Sequence, residues 1–202
     1  MATKTENNNS STVNKDTVEN LTQTPLQSQT EKKDQSMSES PLHKLFVDAL
    51  KDIYYAENAI VDALTKMEAA ATTEELKDAF EDHQLQTKKH ISRLEKVFKL
   101  IGEHAEQKEC KAIVGIIKEG EEIIKSTEEG SMTRDVGLII AAQKVEHYEI
   151  ATYGGLVQLA ITMEHHKAAD LLEKTLQEEE DTDLLLTEIA ESSININAEQ
   201  EE

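Results

Sequence analysis

Apolar residues recur at intervals of three and four from about residue 41 onwards, which predicts amphipathic α-helices. The first helix is predicted from Pro41 to about Ala70, because Ser40 is a favourable N-cap and proline suits the first helical turn. Residues that favour helices dominate the chain beyond this point, and no proline interrupts it. The predicted apolar stripe of this helix is Leu42, Leu45, Ala49, Ile53, Ile60, Leu64 and Met67.

A second long helix follows the first after a very short link. Thr72 and Glu75 have the spacing of a capping box, which predicts its start, and Gly102 is a natural end. So short a link indicates that the two helices are antiparallel neighbours.

A second helical pair is predicted after a long connection. Its helices run over about 133–163 and from a tight connection near His165 onwards. The connection, residues 103–131, is expected to contain one short helix at about 109–125, broken near Gly120. Two tight hairpins joined by one long crossover are typical of ferritin-like bundles. The sequence therefore predicts an all-α, ferritin-like four-helix bundle with a short extra helix in the crossover.

The two ends of the chain have a different composition. Residues 1–40 are rich in Asn, Ser, Thr, Gln and Lys, so we expect a disordered tail. The bundle is expected over 41–195. After Ser192 the chain is rich in Asn and Glu, and we expect it to fray into an acidic tail at 196–202.

Each of the four long helices has polar residues in the middle of its apolar stripe. This pattern is unusual, because an ionised carboxylate in a helical core costs several kcal/mol unless something compensates it. The interrupting residues are Glu57 on the first helix, His83, Gln86, Thr87 and His90 on the second, Glu146 and Glu149 on the third, and Glu179 and Asp183 on the fourth.

Metal binding would explain these interruptions. Two divalent cations would nearly cancel the five negative charges of the carboxylates. Oxygen and imidazole donors without thiolate suit iron or manganese, although affinity alone excludes neither zinc nor copper. The candidate ligands are Glu57, Gln86, His90, Glu146, Glu149, Glu179 and Asp183.

These candidates depart from the usual di-metal template. The template takes a Glu from each of two helices and a Glu-x-x-His motif from each of the other two. Here Gln86 with His90, and Glu179 with Asp183, are spaced i,i+4 rather than i,i+3. A neutral amide such as that of Gln86 bridges metals poorly.

A buried salt-bridge network is the alternative to metal ligation. Its members would be the carboxylates with Lys144, His83, His90 or His147. His83 is either a ligand or an outer partner that orients a carboxylate. The tyrosines at 54, 148 and 153 either pack in the core or hydrogen-bond to ligands. A register error of one residue would exchange Glu179 for Glu178.

The overall charge narrows the function classes. A formal net charge of -20 repels phosphate backbones and anionic lipid, so we expect neither nucleic-acid nor membrane binding. Cys110, the single cysteine, excludes an internal disulfide and fits a reducing compartment. The start of the chain lacks the features of a secretory signal, and we expect a cytoplasmic protein.

Four segments closely resemble the YciF-like (YciE/YciF) bacterial stress proteins of the ferritin-like superfamily, in the same order over about 41–195. They are DIYYAENAI, HQLQTKKHISRLEKVF, IIAAQKVEHYEIATYGGL and LLEKTLQEEEDTDLLLTEIA. The resemblance implies a ferritin-like bundle that is usually dimeric, is associated with stress responses and has a di-metal centre. Residue by residue, it places Glu57 in the YAE segment, Glu146 and Glu149 in VEHYE, and Glu179 and Asp183 in EEEDTD.

Two functional hypotheses remain at this point. The first is a di-iron or di-manganese stress protein, a homodimer that oxidises Fe(II) or consumes peroxide. The second is a metal-free helical stress or interaction module whose buried polar layer is structural. Cage-forming iron storage is a third reading, which the resemblance to proteins of small assemblies disfavours.

Overall fold

The described part of the chain, residues 40–201 of a computed structural model, is helical and contains no strand. The tail expected at 1–40 lies outside it, apart from Ser40. The helices are α1 (Pro41–Ala70), α2 (Glu74–Leu100), α3 (Lys111–Ser126), α4 (Met132–Thr162), α5 (His166–Ile189) and α6 (Asn195–Glu199), with a π-helical turn at Ala190–Ile194 between α5 and α6. No helix in this range is long and apolar enough to cross a membrane.

Four of the helices form a bundle around one core. The hairpin of α1 and α2 packs beside the hairpin of α4 and α5, with α2 against α5 and α1 against α4. Helix α3 lies in the crossover and packs on α4 and α1. It returns the chain to the end of the bundle where α2 starts. This placement is shown by a hydrogen bond from the hydroxyl of Thr72, just before α2, to the backbone oxygen of Ser131, just before α4. The predicted all-α bundle with one long crossover is confirmed.

The close packing of α3 on α4 depends on Gly137. A Cβ there would lie 2.5 Å from Cγ2 of Ile123, whereas one at Gly120 would make an ordinary 3.6 Å contact with Cβ of Ala141. The predicted break near Gly120 is wrong, because this glycine is buried at a helix crossing and α3 continues through it.

Asp135 caps α2 from another helix. Its carboxylate, fully buried on α4, accepts hydrogen bonds from the backbone N–H groups of Thr72 and Thr73 at 2.7 and 2.9 Å, and from the Thr73 hydroxyl at 2.8 Å. The predicted capping box of Thr72 with Glu75 is wrong, because the free backbone N–H groups at the start of α2 donate to the Asp135 carboxylate instead.

We expect Asp135→Ala to lower the free energy of unfolding by about 2–3 kcal/mol. The substitution leaves two backbone N–H groups and a hydroxyl without hydrogen-bond acceptors at a part-buried helix end. Urea unfolding followed by circular dichroism would measure this difference. Asp78→Ala, at an exposed position on α2, is the matched control. Equal stability of the two variants would contradict the capping role.

Both ends of the bundle differ from the apolar pattern. Leu42 and Leu45 are exposed, and α1 instead turns His43, Phe46 and Leu50 inwards. At the other end, the expectation that the chain frays after Ser192 is wrong, because Ile194 is buried and the chain stays helical to Glu199. The carboxylate of Glu201 then accepts hydrogen bonds from the first N–H groups of α4.

Candidate metal centre

Six buried polar residues meet in the middle of the bundle. Helix α4 places Glu146 and Glu149 on one face because they are three residues apart, and α2 places His83 and His90 on one face because they are two helical turns apart. Helices α1 and α5 add Glu57 and Glu179. Every one of the six side chains is at most 5% exposed.

The six residues form two groups that share one member. One ligand atom from each of His83, Glu146, Glu149 and Glu179 lies within 4.8 Å of the others, and we call this group the His83 half. The same is true of Glu57, His90 and Glu179, which we call the His90 half. Glu179 therefore contributes a carboxylate oxygen to both groups.

The distances within each half are short. Nε2 of His83 lies 3.3 Å from Oε1 of Glu146 and 4.0 Å from Oε2 of Glu179. In the His90 half, Nδ1 of His90 lies 2.8 Å from Oε1 of Glu179 and 3.7 Å from Oε2 of Glu57. Nε2 of His83, Nδ1 of His90 and both carboxylate oxygens of Glu179 have no hydrogen-bond partner, so these contacts bring polar atoms close together without pairing them.

The unpaired atoms at the centre test whether metal fits. Buried polar atoms are almost always hydrogen-bonded, because an unpaired one costs about 1–3 kcal/mol. Here eight atoms of the six residues lack a hydrogen-bond partner: Oε2 of Glu57, Nε2 of His83, Nδ1 of His90, Oε2 of Glu146, and both carboxylate oxygens of Glu149 and of Glu179. Two divalent cations would satisfy these atoms and balance the four carboxylate charges. The residues present therefore fit a di-metal centre.

The pKa values show how strongly these groups act on one another. Burial and the neighbouring carboxylates raise the pKa of Glu149 well above its usual value. Burial also raises the pKa of Glu179, although His90 opposes the shift. For the two histidines burial acts to lower the pKa, but the carboxylates outweigh it, and the pKa rises to about 9 for His83 and about 10 for His90. Such shifts are typical of functional sites.

Outer hydrogen bonds orient both imidazoles. Nε2 of His90 donates to Oε2 of Glu178 at 2.9 Å, which leaves Nδ1 facing the centre. Nδ1 of His83 lies 3.5 Å from the hydroxyl oxygen of Thr182, which leaves Nε2 facing the centre. A ligating histidine commonly gives its other nitrogen to such a partner.

Two further side chains hold these contacts in place. Arg93 binds Glu178 with two nitrogens, at 3.0 and 3.2 Å. The hydroxyl of Tyr153, which is fully buried, donates to Oε1 of Glu57, and the pKa of Tyr153 is raised by burial and by this carboxylate.

The other two tyrosines are bonded elsewhere. Tyr54 donates to Glu95, while Tyr148 contacts Asp52 and the sulfur of Cys110. Of the three tyrosines considered from the sequence, Tyr153 is the one that hydrogen-bonds to a residue of the centre.

Five of the seven predicted ligands lie in the centre: Glu57, His90, Glu146, Glu149 and Glu179. Gln86 and Asp183 lie outside both halves. The inner face of α2 passes through His83, Thr87 and His90, which turns Gln86 towards the edge. On α5 the inner position after Glu179 is three residues on, so Thr182 occupies it, and the partly exposed Asp183 pairs with Gln143 and His147 instead.

His83 completes the donor set that the sequence left open. With it the centre has four glutamates and two histidines, the same donors as the di-metal template, but both histidines come from α2. The signal in the sequence was the pair of histidines seven residues apart within an apolar stripe. Glu178, the register alternative to Glu179, lies outside the centre and contacts it through His90.

Comparison with known proteins identifies the family. The family described as a domain of unknown function, DUF892, matches residues 41–199. The chain belongs to the DUF892 family. This DUF892 chain is also 41% identical to protein YciF of Escherichia coli K12 over 164 residues, which cover 81% of this chain and 98% of that protein. The resemblance to YciF-like stress proteins is confirmed.

Solved structures of relatives share the fold of this DUF892 chain. The crystal structure of the E. coli stress protein YciF matches with a TM-score of 0.74 at 41% identity, covering 77% of this chain and 98% of that one. YcfI from Rhodopseudomonas palustris matches with a TM-score of 0.71 at 36% identity, covering 73% and 94%. A protein from Xanthomonas campestris, at 21% identity, has a TM-score of 0.63, covers 79% and 97%, and shows the fold alone.

Proposed function

We propose that this DUF892 chain is a ferritin-like di-metal carboxylate stress protein that binds two divalent cations and oxidises Fe(II) with peroxide or dioxygen. The observation that carries the proposal is the buried centre itself, where four helices direct unpaired carboxylate and imidazole atoms at one another. Such a cluster is costly without cations and favourable with them.

The donor set favours iron, with manganese as the second choice. Four carboxylates and two imidazoles without sulfur suit these metals better than a structural zinc ion. One ion would be held by His83, Glu146 and Glu149, the other by Glu57 and His90, and Glu179 would serve both. Two Fe(II) ions held there would supply two electrons, which with two protons reduce hydrogen peroxide to two waters or dioxygen to hydrogen peroxide, leaving two Fe(III).

The protein side chains define how the centre works. Tyr153 fixes Glu57 so that one carboxylate oxygen faces the centre, and Glu178 fixes the tautomer of His90. Because all six residues of the centre are at most 5% exposed, the apolar core around them keeps bulk water away. A water-poor site strengthens the attraction between the carboxylates and cations.

The first experiment is to load purified protein anaerobically with Fe(II), desalt it, and measure metal by elemental analysis. We expect about two iron ions per chain, as the di-metal template requires. Asp183→Asn, at a position the sequence suggests and the structure places outside the centre, should bind as much iron as wild type. Less than one equivalent in wild type would overturn the proposal. Fe(II) oxidation with matching loss of peroxide would then test turnover.

The metal-free module gives a different result in the same experiment. It predicts that Glu57→Ala weakens folding while added metal leaves the melting temperature unchanged. Its support is the set of close histidine–carboxylate pairs, such as His90 with Glu178 at 2.9 Å. Near-zero iron together with an unchanged melting temperature would favour it.

We further propose that the protein acts in the cytoplasm as a homodimer. Large apolar side chains exposed on the described surface would be covered by a second copy. They include Leu45, Ile140, Leu184, Leu185 and Ile196. Light scattering coupled to size-exclusion chromatography would show a mass of twice 22.6 kDa, whereas a monomer mass would contradict the dimer and a 12-mer or 24-mer would indicate a storage cage.

A further inference from the structure

The two halves of the centre do not have the same number of ligands. The His83 half has three carboxylates and one imidazole, whereas the His90 half has two carboxylates and one imidazole. Because Glu179 is common to both, the His83 half keeps two carboxylates of its own and the His90 half keeps one. A divalent cation is therefore attracted more strongly to the His83 half.

The free oxygens increase this difference. In the His83 half both oxygens of Glu149 and Oε2 of Glu146 have no hydrogen-bond partner. In the His90 half Oε1 of Glu57 already accepts the hydrogen bond of Tyr153, so Oε2 is the one oxygen of the Glu57 carboxylate that is unpaired. The Glu57 carboxylate can therefore serve as a one-oxygen ligand, while Glu149 can offer two.

Arg93 places a permanent positive charge on the side of the His90 half. Its guanidinium grips Glu178, which accepts the Nε2 proton of His90. The charge of Glu178 is thereby shared between Arg93 and His90, so it supports the imidazole less strongly than an unpaired carboxylate would. Arg93 and Glu178 therefore form an ion pair behind His90, so Glu178 adds no net negative charge to the His90 half.

The same residues connect the His90 half to the surface. His90 itself is fully buried, but the side chain of its partner Glu178 is 22% exposed. The outer partner of His83 is the hydroxyl of Thr182, and the Thr182 side chain is buried. The outer partner of His90 therefore lies nearer to solvent than the outer partner of His83.

We propose that the two halves bind metal unequally: the His83 half retains its ion, and the His90 half, whose outer partner Glu178 reaches the surface, releases its ion more readily. The inference rests on the proposed di-metal function and adds to it which position is resident and which is exchangeable. Glu178 is then a positioning residue, which acts on the exchangeable ion through His90.

Titration of metal-free full-length protein with Mn(II) tests the proposal, because the electron paramagnetic resonance signal of free Mn(II) reports the unbound ion directly. We expect two binding steps whose dissociation constants differ by about tenfold or more, a difference of about 1.4 kcal/mol. After both sites of the wild-type protein are filled, dialysis against metal-free buffer should leave about one ion per chain, bound in the His83 half.

Variants assign the two steps. His90→Ala should lose the weak step and keep the tight one, and His83→Ala should lose the tight step. Glu178→Ala should weaken the weak step by about 10–100-fold, while Glu178→Gln, which keeps an acceptor for His90, should recover part of the loss. Glu180→Gln, at the exposed neighbouring position, is the matched control and should titrate as wild type. Circular dichroism shows whether each variant is folded.

The outcomes separate this inference from the function on which it rests. Two steps of equal affinity, loss of both ions on dialysis, or a tight step that disappears in His90→Ala would overturn the unequal halves and leave the di-metal function standing. Wild-type titration and dialysis decide the question even if a buried variant fails to fold. The absence of Mn(II) binding in wild type would overturn the unequal halves, and the absence of both Mn(II) and Fe(II) binding would overturn both proposals.

Discussion

Glu179→Gln is expected to reduce bound Mn(II) from about two ions per chain to less than one, because it removes the carboxylate that both halves share. The amide is neutral and presents N–H donors to a position where both carboxylate oxygens are unpaired. The loss of Mn(II) affinity should exceed the roughly 10–100-fold loss that removal of an outer hydrogen-bond partner causes. Elemental analysis after anaerobic loading and desalting measures it. Glu180→Gln, one residue further along α5 and exposed, is the control.

The same substitution should not destabilise the metal-free protein. Burial raises the pKa of Glu179, which means that the folded state disfavours its charged form near neutral pH. Glu179→Gln removes that buried charge, so the free energy of unfolding at pH 7.5 should equal or exceed that of chelator-treated wild type. A residue selected for metal binding is expected to behave in this way. A loss of more than about 2 kcal/mol would instead indicate that Glu179 has a structural role.

Saturating Mn(II) is expected to raise the melting temperature by roughly 10–20 °C. A ligand at one hundred times its dissociation constant stabilises the folded state by about 2.7 kcal/mol, and two such sites give about 5 kcal/mol. For a chain of this length each kcal/mol corresponds to roughly 2–4 °C. Differential scanning calorimetry with and without Mn(II) would measure the shift.

Two controls make the thermal shift specific. Mg(II) at the same concentration should have little effect, because it prefers oxygen ligands and retains its waters. The shift should also be largely absent in Glu179→Gln. An equal shift with Mg(II), or in the variant, would mean that the stabilisation arises from the acidic surface rather than from the centre.

The apolar pattern was sufficient to predict the helices and the order in which they pair. The stripes of α2, α4 and α5 were read in the correct register because Phe80, Tyr153 and Leu186 lie at regular helical intervals in long segments. At the start of α1 the same reasoning chose Leu42 and Leu45, which are exposed. The last turn of a bundle has few neighbours, so periodicity alone does not show which of two adjacent stripes is covered.

The centre was predictable to the extent that its residues interrupt apolar stripes. Glu57, His90, Glu146, Glu149 and Glu179 met this criterion, and the structure brings them together. The same criterion admitted Gln86 and Asp183, because residues four apart lie about 40° from the same direction on a helix. Whether that offset points to the core or to a neighbouring helix depends on how the helices are rotated against one another.

Capping shows a similar division. The start of α1 was predicted correctly because Ser40 and Pro41 act locally, and Ser40 accepts the N–H of His43. The start of α2 was not, because its cap is Asp135, 62 residues away from Thr73 along the chain. The carboxylate of Asp135 caps the start of α2 from another helix, so the residues around Thr73 do not show that it is the cap.

The sequence by itself determined the all-α fold, the single long crossover, and the presence of a polar layer on all four long helices, because these properties follow from residue type and helical period. Only the tertiary structure decided that His83 joins the centre, that Glu178 and Tyr153 hydrogen-bond to His90 and Glu57, and that Glu179 belongs to both halves. These features depend on distances of 3–5 Å between side chains of different helices. Such distances are set by the rotation and packing of whole helices, which no single stretch of sequence encodes.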